Sequence, residues 1–206
     1  MLEVVTIICI IIFYISLFVE LYFYSIPSIV STKKILKPDQ SIIDHFSENI
    51  KNLLSWSLSI KLLVFVFPMI FIYILHLLPA YNLYDLIFNE EQLQNTYWIC
   101  WMGIVLVIFG RIISHIYLND IKRIKTKAFN GFITSGLFKF SRNPGLLGLY
   151  ISFLGFYALK PSTLFLICYV IYIIHMHFKI MMEEDYLTNK HGEDYKEYLQ
   201  KTRRYL

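Results

Sequence analysis

Two groups of charged residues in the last third of the chain have the side-chain types needed to bind a small charged molecule. The first group is the run Ser-Arg-Asn-Pro at 141–144, and the second is Glu183, Glu184 and the basic pair at 203–204. Arginine binds carboxylates through paired, charge-assisted hydrogen bonds, and glutamate is its natural counter-charge or a partner for ammonium groups. The apolar stretch between the two groups is long enough to cross a membrane and return, so we expect them to meet at one membrane face.

The Arg-Asn-Pro run predicts the start of a helix. Proline is favoured at the first helical position and keeps the residue before it out of helical conformations. Asn143 is therefore predicted as the N-cap and Pro144 as the first helical residue, which fixes Arg142 just outside the helix. Small residues follow at intervals of three or four and allow another backbone to approach closely: Gly145, Gly148, Ser152 and Gly155.

The two glutamates are predicted to follow the last hydrophobic helix, near its C-terminal end, where the helix dipole disfavours anions. A cationic partner is therefore expected. Consecutive helical residues point about 100° apart, so one glutamate can face the protein interior while the other faces Lys179 or the basic tail.

The elements that must position these residues are membrane helices. Hydrophobic residues make up 57% of the chain and charged residues 17%, and the mean hydropathy is +0.55. Three spans are predicted, near residues 2–30, 55–78 and 97–118, since each is long and apolar enough to cross a bilayer. The first is predicted to be a mature helix and not a signal peptide, because it lacks a basic start and a small-residue cleavage site.

Two shorter apolar runs, 145–159 and 162–178, are joined by Lys160-Pro161 and predict a tight helical hairpin. The predicted fold is thus all-α: a polytopic integral membrane protein with about five transmembrane helices, the last two forming the hairpin. We expect a single membrane domain over 1–206, with three spans and their loops in 1–118 and the chemistry in 119–206.

The distribution of charge predicts the orientation of the chain. The first connection and the tail are basic, whereas the connection 79–94 contains no Lys or Arg. The positive-inside rule then places the N-terminus outside and the C-terminus in the cytoplasm. Only Lys160, at the hairpin tip, does not fit this orientation. The basic face is suited to anionic membrane lipids as partners.

Other functional classes lack their signals in this sequence. The three cysteines, Cys9, Cys100 and Cys168, lie in predicted spans without paired spacing, so neither a metal site nor a disulfide framework is predicted. Basic and aromatic residues are not interleaved on a soluble domain, and nucleic-acid binding is not predicted. No Gly-x-Gly occurs, which excludes a Rossmann dinucleotide fold.

Ionisable residues inside the predicted spans indicate a polar chamber that opens towards the cytoplasm. Polar groups at membrane depth are costly and commonly mark a site or a cavity. Taken singly, each has an ordinary structural explanation such as snorkelling. The residues concerned are Glu20, Lys61, Arg111, His115, His175, His177 and Lys179.

The C-terminal motifs resemble those of the isoprenylcysteine carboxyl methyltransferase and phospholipid methyltransferase family of integral membrane proteins. That family shows Gly-aromatic-x-x-x-Arg-His/Asn-Pro-x-Tyr-x-Gly, an apolar hairpin, Glu-Glu-x-x-Leu, a Phe-Gly pair, two tyrosines three apart and a basic-aromatic end. The resemblance covers about the last 75 residues. The matching positions are Gly136, Arg142, Asn143, Pro144, Gly148, Glu183, Glu184, Leu187, Gly192, Tyr195, Tyr198, Arg203 and Arg204.

The resemblance implies a methyltransferase that uses S-adenosylmethionine and a lipid-like or prenylated acceptor. Glu183 or Glu184 would hold the cofactor's ammonium, and Arg142 with Arg203 or Arg204 would hold a carboxylate of the cofactor or acceptor. Arg142 and Glu184 are the predicted catalytic residues. The predicted cofactor-binding residues are Gly136, Leu137, Asn143, Pro144, Leu146, Gly148, Glu183, Tyr195, Arg203 and Arg204.

Two positions differ from the family pattern. Leu146 stands where tyrosine is usual, and His191 stands where phenylalanine precedes the glycine. The missing tyrosine affects the prediction of the acceptor's identity more than the prediction of cofactor use. Two alternative functions remain open at this point: an NADPH-dependent membrane reductase of sterols or enones with a similar C-terminal arrangement, and a membrane protein without enzymatic activity.

Overall fold

The structure is a computed structural model that describes residues 8–16, 18, 19, 36–77, 97–125, 132–159, 161 and 163–205. These residues form helices and their connections, with no strand among them. They include a π-helical segment, Leu62–Val66, and a 3-10 turn, Gly136–Lys139. The helices are α1 (8–16), α2 (Gln40–Ile43), α3 (Glu48–Leu54), α4 (Leu58–Lys61), α5 (Phe67–Leu77), α6 (Tyr97–Lys125), α7 (Pro144–Leu159), α8 (Thr163–His191) and α9 (Glu193–Lys201).

Among the described residues, two helices are long and apolar enough to cross a membrane. They are Trp98–Ile121 within α6 and Thr163–His191, and a third candidate is the pair Glu48–Leu54 and Leu58–Ile72, which is bent by 106°. The described part of the chain is therefore all-helical and contains helices that suit a membrane, as predicted. The count of five spans and the hairpin stay predictions. Most of the first predicted span lies outside the described residues, as do the connection 79–94 and Lys160 at the hairpin tip.

The contact between α6 and α7 is made by glycine and serine. A Cβ on Gly148 would lie 2.5 Å from the Gly110 carbonyl oxygen, and a Cβ on Gly155 would lie 2.6 Å from that of Gly103. The Ser152 hydroxyl donates to the Gly148 carbonyl at 2.9 Å. The small residues predicted to allow close backbone approach on α7 do so, and the helix they approach is α6.

Aromatic rings fill the space between α7 and α8. Tyr157 stacks on Phe165, Phe153 contacts Tyr169 and Tyr172, and Tyr150 contacts the same two tyrosines. As residue numbers fall along α7 they rise along α8, so the two helices are antiparallel. Phe13 of α1 adds edge-to-face contact with Phe156 at 5.1 Å.

Helix α8 extends well beyond the apolar run that predicted it. The run 162–178 was expected to end before the glutamates, but the helix continues through Glu183 and Glu184 to His191. The expectation that these glutamates follow the helix is therefore wrong. The residues after Phe178 include no glycine or proline that would break the helix. Gly192, where the helix ends, has φ of +59° and ψ of −130°, a conformation that suits glycine.

The segment between the first two predicted spans packs on the C-terminal half of α8. The Asp185 carboxylate accepts a hydrogen bond from the Ser47 backbone N–H at 3.2 Å, and the Asn189 amide donates to the His45 carbonyl. Leu54, Phe65 and Met182 belong to one buried apolar cluster with Ile50 and Leu53. These contacts fix α3 and the π-helical segment against α8.

Candidate active site

The Arg-Asn-Pro corner is tied to the end of the chain by backbone hydrogen bonds. The Arg142 N–H donates to the Arg203 carbonyl at 2.9 Å. The Arg204 carbonyl accepts from the Ser141 hydroxyl at 3.3 Å and from the Asn143 side-chain amide at 3.2 Å. Pro144 begins α7, as the sequence predicted, but the Asn143 side chain binds the tail instead of capping the helix. The tail is thereby fixed beside α8.

Glu184 lies between two arginines at this corner. Its Oε1 is 3.2 Å from Arg142 Nη2. Arg204 forms a fork with the same carboxylate, with Nη2 2.6 Å from Oε2 and Nε 3.1 Å from Oε2. The Glu184 and Arg142 side chains are each 11% exposed. The Arg142–Glu184–Arg204 cluster thus carries one net positive charge in a largely buried position.

The hydrogen bond to Glu184 raises the pKa of Arg204, which keeps this guanidinium charged. Arg204 Nη1 also lies 3.5 Å from His177 Nε2, and His177 Nδ1 is 3.0 Å from the Tyr205 hydroxyl. Because arginine only donates, Nε2 is the acceptor here, and a neutral His177 then donates from Nδ1 to Tyr205. Sequence reasoning did not single out Tyr205, although it belongs to the basic-aromatic end.

The turn before α7 is held from two sides. Gly136 has φ of +64°, and a Cβ at this position would overlap the Asp120 carboxylate. The same carboxylate accepts a hydrogen bond from the Leu137 N–H at 3.1 Å. From the other side, the Tyr198 hydroxyl donates to the Phe138 carbonyl at 2.8 Å. Burial raises the pKa of Tyr198 to about 12, with Arg142 opposing the rise and Glu184 adding to it, so this hydroxyl keeps its proton at neutral pH.

Replacing Tyr198 with phenylalanine is expected to destabilise the protein by about 1 kcal/mol, since one neutral hydrogen bond is lost and the Phe138 carbonyl is left unpaired. For a chain of this size that corresponds to a fall in melting temperature of about 2–4 °C. Thermal melting of the detergent-purified protein measures it. The control is Tyr157→Phe, because the Tyr157 hydroxyl has no hydrogen bond to the described residues; equal shifts in both variants would contradict the prediction.

A cleft of about 380 Å³ opens between this turn and α9. Its volume is within the range of small-molecule sites, roughly 300–1,000 Å³. The ring of Tyr198 lies 5.5 Å from that of Phe132, which in turn contacts Tyr195 at 4.9 Å. The cleft is lined by Phe132, Thr134, Lys139, Asp194, Glu197, Tyr198, Lys201 and Thr202.

The structure brings some of the predicted site residues together and separates others. Tyr195 is buried and interacts electrostatically with Glu184 and Arg142. Gly136 and Leu137 form the turn, and Asn143 and Pro144 form the corner. Four others lie apart. The side chains of Glu183 and Arg203 are exposed, Leu146 is buried in the apolar core, and Gly148 lies against α6.

The ionisable residues expected to line a polar chamber occupy several environments. Lys61, Arg111, His175 and Lys179 are buried, His177 is half-buried and His115 is exposed. The Arg111 guanidinium lies 5.3 Å from the centre of the Phe13 ring. Glu20 lies outside the described residues.

Fold and site together define a helical membrane protein with a buried Arg-Glu-Arg centre where three segments of the chain meet. Residues 98–194 match the profile of a family described as phospholipid methyltransferase. The match runs from α6 to the start of α9 and includes Arg142 and Glu184. The match confirms that the C-terminal motifs resemble those of this methyltransferase family. No curated protein and no solved structure matches the chain.

Proposed function

We propose that this protein is a methyltransferase of the membrane that uses S-adenosylmethionine and methylates a lipidic acceptor. The observation that carries the proposal is the Arg142–Glu184–Arg204 cluster. Arg142 and Glu184 lie within the residues that match the methyltransferase family, and Arg204 lies near the chain end. The acceptor would be a phospholipid amine or a prenylcysteine-like carboxylate.

The residues present fit the amino acid end of S-adenosylmethionine, which bears an ammonium and a carboxylate. Glu184 is the counter-charge suited to the ammonium, and the two guanidinia are suited to the carboxylate. Arg142 Nε is buried and has no hydrogen-bond partner among the described residues, so this side chain retains a donor. Before such a ligand binds, Glu184 neutralises one guanidinium charge and the cluster keeps one positive charge for an anion.

The position of the cluster suits chemistry between a soluble cofactor and a lipid. A bilayer core needs about 20 helical residues, so a span that begins at Thr163 reaches the headgroup region near Met182. Glu184 follows directly. We place this end in the cytoplasm, with the N-terminus outside and α7 and α8 as the hairpin, because the basic segments lie on this side.

When bound, S-adenosylmethionine supplies an electrophilic methyl group. The task of the protein is to hold donor and acceptor in line and to exclude water, since such a transfer requires little acid-base machinery. Arg142, fixed by its backbone bond to Arg203, and Tyr195 would orient the donor. An amine acceptor must first lose a proton, whereas a carboxylate acceptor is already ionised at neutral pH, so the pH profile of turnover separates the two acceptors.

The first test is thermal titration of the folded, detergent-purified protein with S-adenosylhomocysteine, with NADPH in parallel. We expect S-adenosylhomocysteine alone to raise the melting temperature, because a ligand at 100 times its Kd stabilises the native state by about 2.7 kcal/mol. Stabilisation by NADPH alone would replace the proposal with a reductase. Stabilisation by neither would favour a protein without enzymatic activity.

A further inference from the structure

A second group of charged residues lies on the opposite face of α8 from Glu184. Lys61 of α4 is 6% exposed and Lys179 of α8 is 8% exposed. On a helix with 3.6 residues per turn, positions 179 and 184 are about 140° apart. The face with Glu184 meets the chain end, whereas the face with Lys179 meets α3 and the π-helical segment.

Contacts above and below the two lysines place them at the same level. Towards the membrane centre, the Phe65 ring meets the His175 ring at 5.4 Å. Towards the headgroups, Leu54 and Met182 belong to one apolar cluster. Lys61 lies between Leu54 and Phe65 in the chain, and Lys179 lies between His175 and Met182. Both lysines therefore lie between the same two layers of contacts.

The two ammonium groups have too little counter-charge in the part of the chain that the structure describes. Neither forms a salt bridge there. Glu183, one turn from Lys179, acts on Lys179 electrostatically, so one carboxylate serves two ammonium groups and a net positive charge remains. Such a charge inside a membrane protein is costly. Two ammonium groups at one level favour an anion shared between them, and lysine binds phosphate as a point charge.

The surroundings favour an anion that arrives with acyl chains. Leu63 and Phe67, two and six residues after Lys61 in the chain, are 65% and 49% exposed, as expected of side chains that face lipid. The π-helical segment Leu62–Val66 begins directly after Lys61, and such segments frequently occur at functional sites. Basic pockets between membrane helices are a known way of binding phosphorylated lipid headgroups.

We infer that Lys61 and Lys179 form a binding site for the phosphate of an anionic phospholipid headgroup, separate from the Arg142–Glu184–Arg204 cluster. The lipid occupies the groove between α4 and α8 beside α3, and its chains lie along the apolar outer faces of these helices. This site does not depend on methyl transfer.

The test titrates the full detergent-purified chain with short-chain phosphatidylglycerol, with phosphatidylcholine of the same chains and with inorganic phosphate. We expect phosphatidylglycerol alone to raise the melting temperature of the wild type and of Lys190→Met, a control at an exposed position on the same helix. In the double variant Lys61→Met/Lys179→Met the apparent Kd should weaken at least tenfold. Equal effects of phosphatidylglycerol on all three proteins, or no effect on the wild type, would overturn the inference. If inorganic phosphate stabilised the wild type equally, the ligand would be free phosphate and not a lipid.

A second measurement uses the wild type alone and does not require the double variant to fold. Phosphatidylglycerol with a photoreactive headgroup should crosslink to residues 58–67 and 172–182, identified by peptide mapping. Crosslinks confined to α9 and the tail would assign the bound anion to the Arg142–Glu184–Arg204 cluster and overturn the inference.

Discussion

Glu184→Gln is expected to abolish binding of S-adenosylhomocysteine and to destabilise the folded protein by about 3 kcal/mol. The amide cannot balance two guanidinia, and removing one partner of a buried ion pair leaves an uncompensated charge. The expected cost is at the lower end of the range for buried pairs because Arg204 is 31% exposed. Thermal melting with and without S-adenosylhomocysteine measures both effects.

Glu183→Gln is the matched control, because it makes the same chemical change one residue away at an exposed position. We expect it to keep both stability and ligand binding. If Glu183→Gln were the variant that loses binding while Glu184→Gln kept it, the exposed glutamate would be the ligand-binding one, and the role proposed for the cluster would be wrong.

Gly110→Ala is expected to have a similarly large effect, although it adds only one carbon atom. The new Cβ would overlap the Gly148 carbonyl oxygen and would lie 2.7 Å from the Ser152 backbone nitrogen. Backbone atoms cannot move aside as a flexible side chain can, so α6 and α7 must separate. We expect a loss of about 3 kcal/mol, at the upper end of the usual cost of overpacking.

The yield of monodisperse protein after detergent extraction and its melting temperature measure the effect of Gly110→Ala. Val105→Ile is the control, because it also adds one carbon to α6, at a side chain that is 61% exposed. It should behave as the wild type does. Wild-type melting of Gly110→Ala would show that α6 and α7 do not meet as the structure has them.

The sequence predicted the local features of the site better than the way they join. Pro144 starts α7 as expected, because local sterics decide a helix start, whereas the Asn143 side chain binds the chain end instead of capping the helix. The small residues of α7 marked a close contact, but the partner helix could not be read from them, because spacing on one helix does not name its neighbour. The pairing of Arg142 and Arg204 with Glu184 depends on the path of the chain end, which no local pattern encodes.

The sequence predicted the C-terminal end of helix α8 too early in the chain. Hydropathy reports which residues face lipid, so the prediction ended near Phe178, where the apolar run ends. Helix formation depends on backbone propensity, which stays favourable as far as the glycine at 192. The continuation beyond the apolar run carries Glu184 to the two arginines and Asp185 to the segment before α3. Both contacts therefore depend on residues that hydropathy alone assigns to a loop.

The backbone contact between α6 and α7 also limits the routes by which an acyl chain can reach the site. Where Gly148 and Gly155 lie against the carbonyl oxygens of Gly110 and Gly103, the two helices leave no gap that a hydrocarbon tail could enter. Between α7 and α8, by contrast, the space is filled by side-chain rings and not by backbone. A lipid substrate would therefore reach Arg142 from the α8 side of α7, past Tyr150 and Tyr169, and substitutions that change the size of these rings should select acceptors by the width of their chains.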